Sequence, residues 1–253
     1  HPPPPPDPAP RHPPGPRARR HVLPPVNRPV DDERRATHAP AGITLLGLND
    51  LPLPPGQSAW PEPAETGTTF EANATIKACA YAEQTRRLCL ADDSGLAVDA
   101  LGGRPGVISS HYCTDGKETG MKRPERDLAN NQRLLSELAG IPPHQRTARF
   151  VCVMCLAAPK TVATKAGQTH TLGAEVLLRV RGEFTGRIGL PDGPHAVPRG
   201  EHGFGYDPLF LVPPDYTRTS AELSPDAKNR LSHRAAAAGL LLDRLRELGM
   251  ITS

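Results

Sequence analysis

The stretch LCLADDSGLAVDALGG, Leu88 to Gly103, decides how this chain is read. An apolar run, Leu88 to Ala91, meets two adjacent carboxylates, Asp92 and Asp93, followed at once by Ser94 and Gly95. The run has the length and composition of a short buried strand, and the carboxylates stand where it is expected to give out. Desolvating one carboxylate is costly and desolvating two is worse, so the pair needs a partner. In open α/β sheets ligands bind beyond the carboxyl ends of strands, and a divalent cation with substrate oxygens would neutralise such a corner. The competing reading of the pair in isolation is a hydrated turn.

Upstream, ETGTTFEANATIKACAYAEQTRR is the first convincing helix, with Thr68 and Glu71 expected as its capping box. Phe70, Asn73, Lys77 and Tyr81 fall on one stripe at helical spacing, so an amide and an ammonium share a face with aromatic rings. Such a mixed stripe is not simply core. Before it, AGITLLGLNDLPLP reads as a short strand entering a Pro-rich loop.

Downstream, RDLANNQRLLSELAG is an amphipathic helix whose expected buried set is Leu128, Leu134, Leu135 and Leu138, with Gly140 as a stop. ARFVCVMCLAA and AEVLLRVRGEFTGRI are two strands expected to form a long-armed antiparallel hairpin. HGFGYDPLFLV is a glycine-broken turn leading into another strand, and Ser224 and Ser232 are candidate caps of two C-terminal helices. Helices and strands alternate early and strands cluster late, so the expected fold class is α/β with a mixed sheet.

Bulk properties narrow the field. The chain has 253 residues, 31 prolines and a formal net charge of +3. Most prolines precede Glu65, and residues 1–20 have no apolar period, so a solvated Pro/Arg-rich tail is expected there, with the folded domain at 21–253. Much of the excess charge comes from Arg11, Arg17, Arg19 and Arg20 in that tail, and no stable nucleic-acid partner is expected. No apolar run is long enough to span a membrane and no signal peptide is evident, so a cytoplasmic protein is expected. The five cysteines are scattered, and the C-x-x-C of Cys152 and Cys155 lies inside an apolar strand pattern rather than on a turn. Buried, reduced thiols are expected.

Two further segments bring chemistry. In GFGYDP, Gly203 and Gly205 flank Phe204, an arrangement that lets a ring stack on a flat ligand while backbone approaches it. KNRLSHR gathers Lys228, His233 and Arg234, donors suited to phosphate and carbonyl oxygens. Neither a G-x-x-x-x-G-K-[ST] nor a G-x-G-x-x-G after a strand is present, so any nucleotide is held by another architecture. A glutamate-rich R-E-x-x-E-E helix, as a Nudix-type enzyme needs, is also missing.

In this order, TFEANATIKA, ADDSGLAVDALGGRPGVISS, ARFVC, GFGYDPLF and AELSPDAKNRLSHR resemble the inosine/xanthosine triphosphate pyrophosphatase family, from about Glu65 to Leu248. The resemblance implies an elongated mixed sheet with flanking helices and a nucleotide cleft between two lobes, a Mg²⁺ requirement and a homodimer. It implies cleavage of ITP, dITP and XTP to the monophosphate and pyrophosphate. By the same resemblance Asp93 is the general base and a metal neighbour, with Asp92 and Glu65 as further metal contacts. Lys77 serves the polyphosphate, with Asn73 beside it, and Ser94 contacts substrate. Phe204 stacks on the purine, Gly205, Tyr206 and Asp207 continue the pocket wall, and Lys228, His233 and Arg234 complete the substrate contacts.

The resemblance departs at the family's T/S-G-N-x-x-K phosphate loop. Asn27 falls on the asparagine, but Val30 stands where the lysine is expected and Pro24 and Pro25 precede it. A catalytically weakened or inactive nucleotide-binding homologue is the alternative this loop raises, and a local reading-frame disturbance would equally account for it.

Overall fold

The computed structural model describes residues 45–163 and 169–251. Helix α1 spans Phe70–Thr85, strand β1 Cys89–Val98, helix α2 Arg123–Glu137, and strands β2 and β3 Thr147–Ala163 and Thr169–Ile188. The short strand β4, Phe210–Leu211, is followed by helices α3, Pro225–Leu231, and α4, His233–Glu247. The four strands form one sheet in the order β1-β2-β3-β4, and every pairing is antiparallel. The α/β class with helices on a long sheet is as expected. The parallel pairing of a mixed sheet does not occur among the described residues, and the expected tail and the loop from Asn27 to Val30 lie outside them.

The decisive stretch departs from expectation in an informative way. β1 does not stop at the carboxylates but runs on through Asp92, Asp93 and Ser94 to Val98. Asp92 pairs with Met154 and Asp93 with Val153 in the register with β2. The apolar alternation resumes at Leu96 and Val98, and the strand tolerates the two acids because each finds partners on its own side.

Strand period then distributes the core. Cys89, Ala91 and Ala97 face α1 and pack with Phe70, Ala74, Ala78 and Tyr81, and with Val151, Val153 and Cys155 of β2. Leu90 points the other way, where Cys152, Met154 and Val180 pack under Ala237, Leu241 and Leu245 of α4. Leu96 and Val98, on that second face but further along, join Leu134 and Leu138 of α2, Phe184 and Ile188 of β3, and Phe210 of β4. One face therefore carries α1, and the opposite face carries two apolar clusters.

Local expectations fare variously. Thr69, not Thr68, caps α1, its hydroxyl accepting from the Ala72 amide at 3.1 Å. The stretch after Leu45 is not a strand: Leu48–Asp50 is a 3-10 turn, closed by the Gly47 amide donating to the Asp50 carboxylate at 2.7 Å. That turn delivers Leu48 and Leu51 to the core beneath α1. In α2, Leu134 and Leu138 are buried and Leu135 is partly so, but Leu128 is 58 % exposed. The buried position one turn before Leu134 is taken by Asn130, whose amide accepts from the Cys113 amide and donates to the Ser109 and Ser110 carbonyls. Ser224 and Ser232 cap α3 and α4 as expected. Cys152 and Cys155 are buried thiols outside any disulfide, on opposite faces of β2.

Candidate active site

Asp93 occupies the α1 side of β1 and is 8 % exposed. Its Oδ1 accepts from Lys77 Nζ at 3.0 Å, and its Oδ2 accepts from Asn73 Nδ2 at 3.3 Å. Lys77 Nζ reaches a second carboxylate, Glu65 Oε2, also at 3.0 Å. The i, i+4 spacing of Asn73 and Lys77 aims both down one face of α1, and β1 lifts Asp93 to meet them. Burial pushes the Asp93 carboxyl up to about 6, against the pull of Lys77. Burial draws the Lys77 ammonium down, but Asp93 and Glu65 outweigh it and leave its pKa above the ordinary value.

Two glycines make this corner possible. The Gly67 amide donates to Asn73 Oδ1 at 2.8 Å, and a Cβ on Gly67 would stand 2.6 Å from that same oxygen. On β1, a Cβ on Gly95 would meet Ser109 Oγ at 2.4 Å and the Phe70 ring at 2.9 Å. Gly67 was not singled out from sequence. Its signal is its place just before a threonine cap, where the chain must turn tightly into α1.

Asp92 lies on the opposite face and is 1 % exposed. Its Oδ2 accepts from Ser94 Oγ at 2.9 Å and stands 3.7 Å from Arg234 Nε at the start of α4. The two acids therefore do not converge on one point, although they are neighbours in sequence. Among the described residues no group of three or more His, Cys, Asp or Glu is arranged to hold a metal ion. Glu65 and Asp93 do converge, on one ammonium, and a pair of carboxylates is the kind of hard oxygen donor set that Mg²⁺ takes together with substrate phosphates.

On the Asp92 side the remaining predicted residues assemble around Phe204. Its ring is 42 % exposed, with Arg123 Cζ at 4.6 Å, Lys228 Nζ at 5.0 Å and Arg234 Cζ at 5.9 Å from the centroid. An exposed ring ringed by cations is a stacking platform for an electron-rich flat ligand. Asp207 is buried behind it, accepting from the Phe204 amide at 2.7 Å, from Ser220 Oγ at 3.0 Å and from Lys228 Nζ. Tyr206 is also buried, its hydroxyl donating to the Ser109 carbonyl at 2.8 Å. These two residues support the loop from behind, and Phe204 and Gly205 present its front. Gly203 has φ +84°, and a Cβ there would stand 2.2 Å from the Asp207 carboxylate, so glycine is required.

His233 stacks on Phe150 with centroids 5.4 Å apart. Burial, then Arg234 and Lys228, hold its imidazole well below the ordinary value despite Asp92, so the ring is neutral. Close docking fixes the start of α4: a Cβ on Gly182 of β3 would stand 2.3 Å from both the His233 carbonyl and the Ala237 amide. Arg123 and the α2 residues Asp127 and Asn131 were not expected to take part. Asp127 Oδ2 accepts from the Gly205 amide at 3.0 Å, and Asn131 Nδ2 donates to the Gly205 carbonyl at 3.1 Å.

The arrangement has an acid-and-ammonium corner on one side of β1 and a ring-and-cation platform on the other. β1 is an edge strand among the described residues. Leu96 and Val98 turn their amides away from β2, to Ser109 Oγ at 2.9 Å and the Arg104 carbonyl at 3.1 Å. The period of two directs the Ser94 amide to that same outer edge.

The family model of the Ham1 family matches residues 33–244, a span that holds all of these motifs. The chain belongs to the Ham1 family. A dITP/XTP pyrophosphatase of Nitratidesulfovibrio vulgaris is 43 % identical over 202 residues, which cover 80 % of this chain and 84 % of the relative. One of Bacillus subtilis is 44 % identical over 173 residues, covering 68 % and 73 %. Among solved structures, a HAM1 protein from Coxiella burnetii superposes with a TM-score of 0.68 at 31 % identity, covering 90 % of this chain and all of that one. The Ham1 match begins at residue 33 and so excludes Asn27 to Val30.

Proposed function

We propose that this Ham1-family chain hydrolyses oxo-purine nucleoside triphosphates, ITP, dITP and XTP, to the monophosphate and pyrophosphate with Mg²⁺. The observation that carries the reading is the Glu65–Lys77–Asp93–Asn73 corner, joined across a single edge strand to the Phe204 platform. The names of the relatives supply the substrate class.

Glu65 and Asp93 would hold the divalent cation, which when bound supplies charge neutralisation on the polyphosphate. Asp93 takes a proton from the attacking water. A carboxylate held near 6 is largely ionised at neutral pH yet basic enough to accept that proton. Lys77, fixed between two acids, stabilises charge that develops as the bond from the α-phosphorus to the leaving pyrophosphate oxygen breaks. Ser94 would offer its amide, on the outer edge of β1, to a phosphate oxygen.

At the other end the purine stacks on Phe204. Hypoxanthine and xanthine carry an oxygen at position six, which accepts from Arg234, and adenine carries a donor there. Arg234, its Nε held 3.7 Å from Asp92, would offer guanidinium donors to that oxygen, and adenine's amino group, itself a donor, would leave them unpaired. The resemblance extends the reading to a cytoplasmic homodimer. Among the described residues no helix is long and apolar enough to cross a membrane.

The test is pyrophosphate release from ITP against ATP and GTP with Mg²⁺, beside Asp93→Asn. ITP turnover well above the other two, abolished in the variant, is the expected result. Equal turnover of all three nucleotides would overturn the selectivity, and absence of any turnover would favour a binding homologue, the reading that Val30 raises.

A further inference from the structure

The platform residue Phe204 sits between two glycines that both adopt positive φ, +84° at Gly203 and +61° at Gly205. Glycines on both sides leave the backbone free to take other conformations, so intrinsic conformation does not fix the ring. A Cβ on Gly205 would touch nothing within 4 Å, so no packing holds the Gly205 backbone in place. The backbone is instead held by hydrogen bonds. Asp207 takes the Phe204 amide, and both polar groups of Gly205 go to α2: its amide to Asp127 Oδ2 at 3.0 Å and its carbonyl to Asn131 Nδ2 at 3.1 Å.

Asp127 and Asn131 are one helical turn apart, so a rigid element grips a single residue by both of its backbone groups. Arg123, one turn earlier on the same face, lies over the Phe204 ring at 4.6 Å and 3.8 Å from Asp127. Asn131 Oδ1 is buried without a hydrogen-bond partner among the described residues. Its amide is thus oriented for the sake of the donor that reaches Gly205, at the expense of its acceptor.

We propose that α2 is the positioning element of the base platform, with Asp127 and Asn131 clamping Gly205 so that the Phe204 ring is preset for a flat oxo-purine. The proposal rests on the substrate reading above, and neither residue touches the reacting atoms. Preset geometry lowers the cost of binding without altering the chemical step.

The test compares Asp127→Ala, Asn131→Ala and the double variant with Asp127→Asn, which keeps an oxygen acceptor for the Gly205 amide but loses the charge facing Arg123. Loss of one such hydrogen bond costs about 1 kcal/mol, about five-fold, so the double variant is expected to raise KM for ITP about 10- to 30-fold with kcat nearly unchanged. The preference for ITP over ATP should fall in parallel, and Asp127→Asn should lie close to the parent. Amide hydrogen exchange across residues 201–207 should rise in the double variant, a readout that requires no turnover and separates this proposal from the substrate reading. Unchanged exchange across the loop, or a loss confined to kcat, would overturn the clamp.

Discussion

Asp92 and Asp93 are consecutive in the chain and stand on opposite faces of the sheet, one beside Arg234 and the other beside Lys77. On the proposed function two jobs would thereby be divided between adjacent acids: Asp93 would serve the phosphate chemistry, and Asp92 would hold the arginine of the base platform. Asp93→Asn should lower kcat by about 10²- to 10⁴-fold, the range for loss of a general base. Asp92→Asn should retain most of kcat while raising KM for ITP and eroding its advantage over ATP. Steady-state kinetics of both variants decide it, and an Asp92→Asn enzyme as inert as Asp93→Asn would refute the division.

Lys77 has a second consequence, because it occupies the gap between Glu65 and Asp93. Lys77→Met removes the cation that both carboxylates share. Turnover should fall about 10²- to 10³-fold, as for loss of one preorganised electrostatic donor. Mg²⁺ affinity without nucleotide should rise, since two carboxylates now lack a counter-charge. Titration calorimetry with Mg²⁺ checks the second effect independently of the first, and weaker Mg²⁺ binding by the variant would contradict the assignment of these two acids.

His233 makes stability pH-dependent with a definite sign. Its folded pKa lies well below the ordinary value of the unfolded chain, through burial and the nearby Arg234 and Lys228, with Asp92 opposing. The unfolded chain therefore takes up the proton first as pH falls. Stability is lost from about pH 6.5 downward until the pH reaches the folded value. Thermal unfolding between pH 7.5 and 5.5 should show a steeper decline in the parent than in His233→Gln, and parallel slopes would show that the imidazole is not held neutral.

Much of the platform was legible because it is written locally. Ser224 and Ser232 as caps, the glycines around Phe204 and the basic cluster of α3 and α4 each sit within a few residues of one another. The division of Asp92 from Asp93 was not, because a carboxylate pair reads as a strand end unless its partners are known. Those partners, Lys77 and Arg234, lie 16 and 142 positions away from their acids. The same holds for α2. Its amphipathic pattern announced a packing helix, and the use of Asp127 and Asn131 depends on a loop more than 70 residues later. Leu128 shows the converse: an apolar residue at a plausible spacing faces outward because the pattern tolerates single exposures.

Gly182 tests whether the platform depends on close docking of backbone to backbone. It lies on β3 beneath the first turn of α4, with the His233 carbonyl and Ala237 amide each 2.3 Å from where a Cβ would stand. Neither atom belongs to a flexible side chain, so Gly182→Ala must push the helix away rather than rotate a neighbour. Overpacking of this kind costs about 1–3 kcal/mol, equivalent to a fall in melting temperature of about 2–12 °C for a domain of this size. The shift acts at the helix start, so Arg234 moves relative to Phe204 and Asp92 as the core under Leu241 and Leu245 loosens. KM for ITP should rise even at temperatures where the variant is fully folded, with kcat less affected because Lys77 and Asp93 lie on the other face. A melting temperature and KM equal to those of the parent would mean that α4 is not seated on Gly182 as described.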